Sequence, residues 1–527
     1  MPWIFNVHFK RKNVMMPNSV SRRRFLQGCG AIGVATVLTN TGCASKRPTH
    51  TGQFFSATSN DLVALTGAKV VDVKKGIILS GQTVLIKNGK IQRVVQADDS
   101  ACKQAMKIDC KGRYLIPGLI NAHCHLNMGS VGNMGIGDFG AIRQQIFRNY
   151  EDCIAWGITT ARDMGSMPKL MTKDREKIDR GELIGPHILS PMGFIATKGG
   201  YPEFAENLPA IAKWMVGEPA LYGTTPLEAK EHVLKYMDQG ANLIKIALDH
   251  QSIMYGHEKV NVFSKGELDA IVNEATKHGL PVAAHHMFAE GLDLGLDFGL
   301  GSFEHIASNH ELTDEQMTKI LDVKSPFVPT ATVGLNLAFT SPGDTYANDP
   351  SFKETVKWRD EFIRPEMLQH SEPRIVELTN ETLEFYEKGE YALPKNKKLF
   401  SFNPKSFTRA VVIGSRNLRK LIDGGAIVGV GNDAGVPFTY PGMLHFEMEM
   451  LTRHGMTCAQ ALKAATVVNA QICKVDDQCG AIEPGKRADL VLLDGNPFED
   501  IRNTAKVSAV FKNGALLSKA DSFLMPV

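Results

Sequence analysis

Surplus charge is what this 527-residue chain most lacks: 59 lysines and arginines stand against 56 aspartates and glutamates, a formal net charge of +3. No basic stripe runs through the body of the chain, so neither nucleic acid nor another polyanion is called for as a partner. The nine cysteines include no CxxC pair, and two of them, Cys29 and Cys43, fall in the amino-terminal segment. The other seven are odd in number and scattered, which argues against a disulfide scaffold. Cys102 with Cys110 and Cys473 with Cys479 lie close enough in sequence to pair in an oxidising compartment, but buried or free thiols are the expectation for both. There is no internal repeat and no low-complexity tract. What remains is ordinary globular composition, 43% hydrophobic and 22% charged, in a chain long enough for a barrel with a smaller companion.

The first 45 residues differ from the rest. Ser21-Arg22-Arg23-Arg24-Phe25-Leu26-Gln27 is a twin-arginine pattern, followed by an uncharged, moderately apolar run over 28–38 that is too short for a permanent membrane span. Thr41-Gly42-Cys43 then offers a processing site. This order reads as an export signal over 1–45, leading to a periplasmic or extracytoplasmic location. Cys43 after glycine resembles a lipobox cysteine, although Asn40 stands where a leucine is usual, so the membrane enters only through the signal or a lipid on Cys43. Residues 46–60 read as a polar tether.

Residues 61–116 alternate apolar and polar positions across glycine turns such as Asn88-Gly89, and 479–527 repeat that style in ADLVLL and VSAVFKNGALL. Two strand-rich pieces at opposite ends predict one small β domain, a β-sandwich, completed by both ends of the mature chain. Between them, 117–478 alternates apolar runs with helical patterns. Eight runs, LIPGLINAHCH, GITTARDMG, HILSPMG, NLIKIALD, LPVAAHHM, GLGSFEH, SPFVPTATV and AIVGVGNDAG, are each followed by polar or glycine-rich sequence. That spacing predicts an α/β fold of the (β/α)8 TIM-barrel type, with chemistry at the carboxyl ends of the strands. The stretch 335–410 exceeds one barrel loop and predicts inserted helices, a lid over the barrel mouth or a surface for homo-oligomer contacts.

His123-Cys124-His125 closes the first run; residues two apart on a strand face the same side, so one cation can take both imidazoles. Lys245 lies between two isoleucines in a buried-looking strand, where an ammonium must neutralise, pair or be modified. His285 and His305 are the first imidazoles after their runs, and Asp433 follows the eighth. His286, next to His285, points the other way on a strand and reads as packing or a substrate contact; His250 and His310 read as loop or surface histidines. Asp163, at the end of GITTARDMG, reads as a structural hydrogen-bond acceptor.

PGLINAHCHL, GITTARDMG, IKI, AAHH, FEH and GNDAG, in this order over roughly 61–520, resemble the amidohydrolase superfamily, in its imidazolonepropionase-like and Xaa-Pro-dipeptidase-like branch. The resemblance implies a binuclear site with two divalent cations. His123 and His125 would hold one and His285 and His305 the other, with carbamylated Lys245 (N6-carboxylysine) bridging them. Asp433 would complete the first site and carry the catalytic proton. Nitrogen and oxygen donors without thiolate suit zinc, with manganese or cobalt as alternatives. The implied reaction is hydrolysis of an amide, peptide or related carbon–nitrogen bond by a hydroxide held between the cations, on a small-molecule or short-peptide substrate. Two departures bear on substrate: Gly199-Gly200-Tyr201 stands where related sequences often have Gly-Gly-His, and Asn432 where they have threonine, so Gly200 and Tyr201 are the expected substrate contacts. A mononuclear deaminase or cyclic-amide hydrolase is the enzymatic alternative; a non-catalytic exported protein that binds metal or ligand is the other.

Overall fold

In the computed structural model the described residues are 50–55, 61–128, 139–206, 208, 210–252, 259–339, 344–363, 371, 373–387, 404–436 and 438–519. The export signal over 1–45, Cys43 included, lies outside them. Residues 61–117 form strands β2 (Val63–Asp72), β3 (Ile77–Lys87), β4 (Lys90–Gln96), β5 (Met106–Asp109) and β6 (Tyr114–Pro117), preceded by β1 (His50–Phe55). The middle of the chain supplies β7 (Leu119–Cys124), β8 (Ile158–Asp163), β9 (His187–Leu189), β10 (Phe194–Thr197), β11 (Ala220–Gly223), β12 (Ile244–Ala247), β13 (Val282–His285), β14 (Ser302–Glu304) and β15 (Phe327–Val328). The end of the chain returns as β16 (Leu490–Leu493), β17 (Val507–Lys512) and β18 (Ala515–Lys519).

The two ends do make one sheet. Nine strands run in the order β1-β18-β17-β16-β6-β2-β3-β4, with β5 beside β2. Two hairpins of this sheet, β3–β4 and β17–β18, turn on Asn-Gly: Asn88 and Gly89 have φ of 52° and 72°, and Asn513 and Gly514 have φ of 49° and 72°. Two consecutive left-handed residues match the twist of the flanking strands, which is why this dipeptide sets the register. Alternate residues then serve two cores. Leu115, Leu490, Leu492, Ala509 and Phe511 pack inside the sheet domain, whereas Ile116, Val491, Leu493 and Val510 join the large core of the rest of the molecule. The tether expectation fails for 50–55, which pair antiparallel with β18. An edge strand with open backbone groups recruits whatever extended chain reaches it.

The middle of the chain is TIM-barrel-like, with parallel strands and helices between them. β7-β8-β9 form one parallel sheet and β11-β10-β12-β13-β14-β15 another. Side-chain caps fix where the intervening helices begin: Thr225 caps Pro226–Asp238, while Ser264 with Glu267 and Thr313 with Gln316 form capping boxes on Lys265–Lys277 and Asp314–Val323. The two sheets are not joined into a single closed one. The eighth apolar run forms only isolated bridges, yet it links both: Phe327 N–H donates to Ile427 O and Gly429 N–H to Phe327 O at 2.8 Å, while Ala122 N–H donates to Val430 O and Asp433 N–H to His123 O at 2.9 Å. The ladder is interrupted because a side chain takes its place. The Asn469 amide donates to Ile120 O and Val430 O and accepts from Val430 N–H. Gly431 is needed here, since a Cβ would stand 2.6 Å from His123 N and Cβ.

The insertion over 335–410 is helical where described, with helices Pro350–Trp358, Pro373–Glu387 and Pro404–Arg409. All seven described cysteines are free thiols, and burial pushes Cys473 up to about 12 and Cys479 to about 11. Among the described residues no helix is long and apolar enough to cross a membrane.

Candidate metal centre

Parallel register brings the expected side chains to one end of the strands. His285 lies level with Ala247 on β12 and Glu304 on β14, and Lys245 with Ala283 on β13. His123 and His125 close β7, both buried, and the Nε2 atom of each stands 3.3 Å from Asp433 Oδ1. Among the described residues these three are the group whose donor atoms all lie within 4.8 Å of one another. His305 joins them from β14's end, its ring 4.8 Å from His123 and 4.5 Å from His285. His305 and Asp433 both hold left-handed backbone, with φ of 71° and 58°. Strain of this kind in residues other than glycine persists only where the surroundings enforce it.

Each imidazole is oriented by what its other nitrogen meets. His125 Nδ1 faces Gly165 O at 2.9 Å, His123 Nδ1 faces Glu304 Oε2 at 2.6 Å, and His305 Nδ1 faces Thr330 Oγ1 at 2.5 Å. An acceptor at Nδ1 places the proton there and leaves Nε2 as a lone pair for a cation. Burial pulls His125 down to about 4 and His305 well below the usual histidine range, so both rings are neutral at neutral pH. Asp433 goes the other way. Burial opposes its ionisation, but His123 and His125 outweigh burial and hold it at about 2.

Lys245 is fully buried, with Nζ 5.7 Å from the centre of the Phe194 ring and no hydrogen-bond partner. Burial lowers it to about 8. His123 Nε2, His285 Nε2 and Asp433 Oδ1 are likewise buried without a hydrogen-bond partner. Orphaned polar atoms at one place cost stability unless something binds them. Imidazole nitrogens, a carboxylate oxygen and an amine are the donor set a divalent cation takes, so the residues fit such an ion.

The remaining expectations divide. Tyr201 lines the cavity above this cluster and stacks on His285 at 4.6 Å. Gly200 does not line it; its backbone pairs with Asn261, and a Cβ would stand 2.8 Å from Asn261 O, so it places Tyr201 rather than touching a ligand. His286 is no substrate contact either: it is fully buried, Nδ1 meets Glu304 O at 3.0 Å, and the ring packs on Phe303 and Phe327. Asp163 accepts from Asn127 N, Gly165 N and Ser166 Oγ, the structural role expected of it. Asn432 accepts from Asn121 Nδ2 at 2.7 Å and donates to Tyr440 O at 2.8 Å, which builds the turn that presents Asp433.

Sequence reasoning missed Glu304 and Arg162. Glu304 is fully buried, and Arg162 Nη2 donates to its Oε1 at 2.7 Å. Burial opposes its ionisation, yet Arg162 and His123 hold it well below the usual carboxylate range. The signal was available: a glutamate and an arginine inside the apolar runs FEH and ITTARD have no solvent to face. The cavity over the cluster, about 150 Å³, is walled mostly by apolar side chains, among them Phe194, Met287, Val333, Leu335, Phe407 and Val411. Several of these come from the borders of the insertion, so that segment helps to shape the site.

Residues 114–311 and 372–517 match the amidohydrolase family. The chain belongs to that family. It is accordingly an enzyme, a metal-dependent hydrolase acting on carbon–nitrogen bonds, and the reading as a non-catalytic binding protein falls away. Among its relatives, ochratoxinase of Aspergillus niger is 23% identical over 494 residues, covering 85% of this chain and 87% of that protein. The 5'-deoxyadenosine deaminase of Methanobrevibacter smithii is 21% identical over 439 residues, covering 81% and 83%. A crystal structure of a Xaa-Pro dipeptidase with bound methionine in the active site superposes with a TM-score of 0.65 at 23% identity, covering 87% of this chain and all of the other.

Proposed function

We propose that this amidohydrolase cleaves an amide, peptide or related carbon–nitrogen bond next to an apolar substituent, at a site for two divalent cations inside a (β/α)8 barrel closed through residues 427–433. The observation that carries this reading is the convergence of buried donors without partners: His123 Nε2, His285 Nε2, Lys245 Nζ and Asp433 Oδ1. His123, His125 and Asp433 would hold one cation and His285 and His305 the other, with Lys245 as a carbamate shared between them. Zinc suits these donors, with manganese or cobalt as alternatives. Bound cations supply Lewis acidity, which acidifies water and polarises the scissile carbonyl.

The chain's own residues supply the rest. Asp433, ionised at neutral pH, would accept the proton of the attacking water on the carboxylate oxygen that the cation leaves free and return it to the leaving nitrogen. Tyr201 and Phe194 wall the approach, and the cavity of about 150 Å³ admits an apolar group about the size of one aromatic ring. Similarity to proteins named ochratoxinase and Xaa-Pro dipeptidase supports an amide or peptide bond as the target. The nine-stranded sheet is read as the β-sandwich companion of the barrel, and the protein as exported through its twin-arginine segment, with Cys43 as the lipid site if it is anchored.

Elemental analysis combined with a panel of N-acyl amino acids and dipeptides, assayed with and without chelator, tests the reading. Two metals per chain and chelator-sensitive hydrolysis of apolar substrates are expected. The compact His123–His125–Asp433 group favours one rival, a mononuclear deaminase or cyclic-amide hydrolase. Full turnover with a single metal would establish that rival instead.

A further inference from the structure

Of the three imidazoles with an acceptor at Nδ1, His305 is the one held by a rotatable hydroxyl, Thr330 Oγ1. His125 faces a backbone carbonyl, and the Glu304 that faces His123 is itself fixed by Arg162 at 2.7 Å. Among the described residues the Thr330 side chain has no such brace, so its hydroxyl stands where its backbone puts it. That backbone is left-handed, with φ of 50°. A β-branched residue adopts this conformation only where its surroundings enforce it. Thr330 also follows β15, and His305 N–H donates to Val328 O of that strand at 2.9 Å, so the ring and the turn share one frame.

The enforcement comes from a distant helix, Leu444–Arg453, through Glu447, which is fully buried. Its Oε1 accepts from Ala331 N–H at 2.8 Å, and its Oε2 accepts from Thr332 N–H at 2.8 Å and from Thr332 Oγ1 at 2.5 Å. These two residues follow Thr330 directly and open the helix Ala331–Asn336, to which Thr330 itself gives no side-chain cap. Donors alone meet both oxygens, an arrangement that a carboxylate satisfies and an amide cannot. We propose that Glu447 is a positioning residue for His305. By clamping the amides of Ala331 and Thr332 it keeps Thr330 left-handed, and Thr330 Oγ1 then holds the His305 proton at Nδ1 and leaves Nε2 free for a cation. Glu447 does not line the cavity, so it acts through Thr330 and not on the substrate. The role rests on reading His305 as a metal ligand.

A double-mutant cycle tests this. Glu447→Gln keeps the size of the side chain but turns an NH2 group against a backbone donor, and Thr330→Ala removes the acceptor while leaving Glu447 in place. His305→Ala shows which bound zinc ion depends on the ring. In titrations against a competing chelator, Glu447→Gln and Thr330→Ala are each expected to bind that ion about 10–100-fold more weakly and to lose kcat with it. The double variant should be no worse than the poorer single variant, because both cut the same link. A merely structural Glu447 would lower the urea midpoint and leave the two losses independent. Losses that multiply in the double variant, or a Glu447→Gln protein with wild-type metal affinity and kcat, therefore overturn the assignment. If Glu447→Gln does not fold, Thr332→Val, which removes only the hydroxyl donor of the clamp, takes its place in the cycle under the same criteria. If His305→Ala binds zinc as wild type does, the reading of His305 as a ligand fails, and the same cycle measured on kcat decides the role of Glu447.

Discussion

His285 and Lys245 show how far burial governs the chemistry of single residues at this site. Burial lowers the His285 pKa and keeps its ring neutral, as a ligand must be, and it brings Lys245 down to about 8. The neutral amine that reacts with CO2 is therefore far better populated on Lys245 than on an exposed lysine. Left as an ammonium beside two dications it would be repelled, by about 4 kcal/mol per pair of unit charges at 4 Å with an effective dielectric of 20. Lys245→Ala is expected to lose metal and activity together, with partial return of both when short carboxylic acids are added. Lys245→Arg is expected not to rescue, since guanidinium stays charged. Elemental analysis and turnover measured side by side check this; two metals and near-normal turnover in Lys245→Arg would remove the bridge. The histidines proposed as ligands and Asp433 were singled out in the sequence because each closes an apolar run, and Lys245 because it lies inside one; position along a strand is a local property. Glu304 and Arg162 were not read, because their roles depend on partners 181 and 142 residues away, His123 and Glu304. A buried charge within an apolar run was the available hint.

Elements were legible to the extent that their periodicity is local. The Asn-Gly hairpins and the alternation of β16 follow from sequence, and so do the caps at Ser264 and Thr313. The eighth run was expected as a strand and makes only bridges, because the Asn469 side chain occupies the hydrogen bonds that a neighbour would take. No period in the sequence announces a side chain arriving from a helix. Asp489, beside β16, marks the joint between the sheet domain and the barrel strands. It accepts from Arg487 Nε at 2.9 Å and from Asn513 N–H in the β17–β18 turn at 2.8 Å, and lies 3.5 Å from His187 on β9. Burial opposes its ionisation, but His187 and Arg487 overcome that and hold the carboxyl well below the usual range. Burial lowers His187 as well, so at neutral pH Arg487 is the charged hydrogen-bond partner, with Lys512 a second cation acting on the carboxylate. A depressed carboxylate stabilises the fold above its unfolded pKa of about 4 and ceases to do so as pH falls towards the folded value. Asp489→Asn should therefore cost on the order of 2 kcal/mol near pH 7. It should also flatten the loss of stability below about pH 4. Urea midpoints of both proteins from pH 7 down to 3 read this directly, and parallel pH curves would show that the joint does not depend on this charge.

Both ends of the chain meet in one sheet, and this has a consequence for the whole molecule. Strands β2–β6 are made early and β16–β18 last, yet β16 sits hydrogen-bonded against β6. The sheet cannot be completed until synthesis is nearly finished. The proposed metal ligands are spread in the same way, from His123 to Asp433, so the site too assembles only in a folded chain. This overall plan was legible from the similar strand-rich style of 61–116 and 479–527, whereas the pairing of 50–55 with β18 was not, since an edge strand is recruited by proximity rather than by pattern. A protein that folds as a unit around cations is suited to a route that carries folded cargo, and Arg22-Arg23 is the sequence feature that calls for one. Replacing Arg22 and Arg23 together by lysine keeps the charge of the segment and removes the guanidinium pair. The variant is expected to remain in the cytoplasm as full-length precursor, while wild type appears outside it in processed form. Because the body of the enzyme is unaltered, the retained precursor should still bind metal and hydrolyse substrate, which separates a failure of export from a failure to fold. Cell fractionation with an antibody to the carboxyl-terminal strands, followed by metal analysis of each fraction, makes both measurements at once. Processed double variant outside the cytoplasm in wild-type amount would mean that the arginine pair does not direct the route.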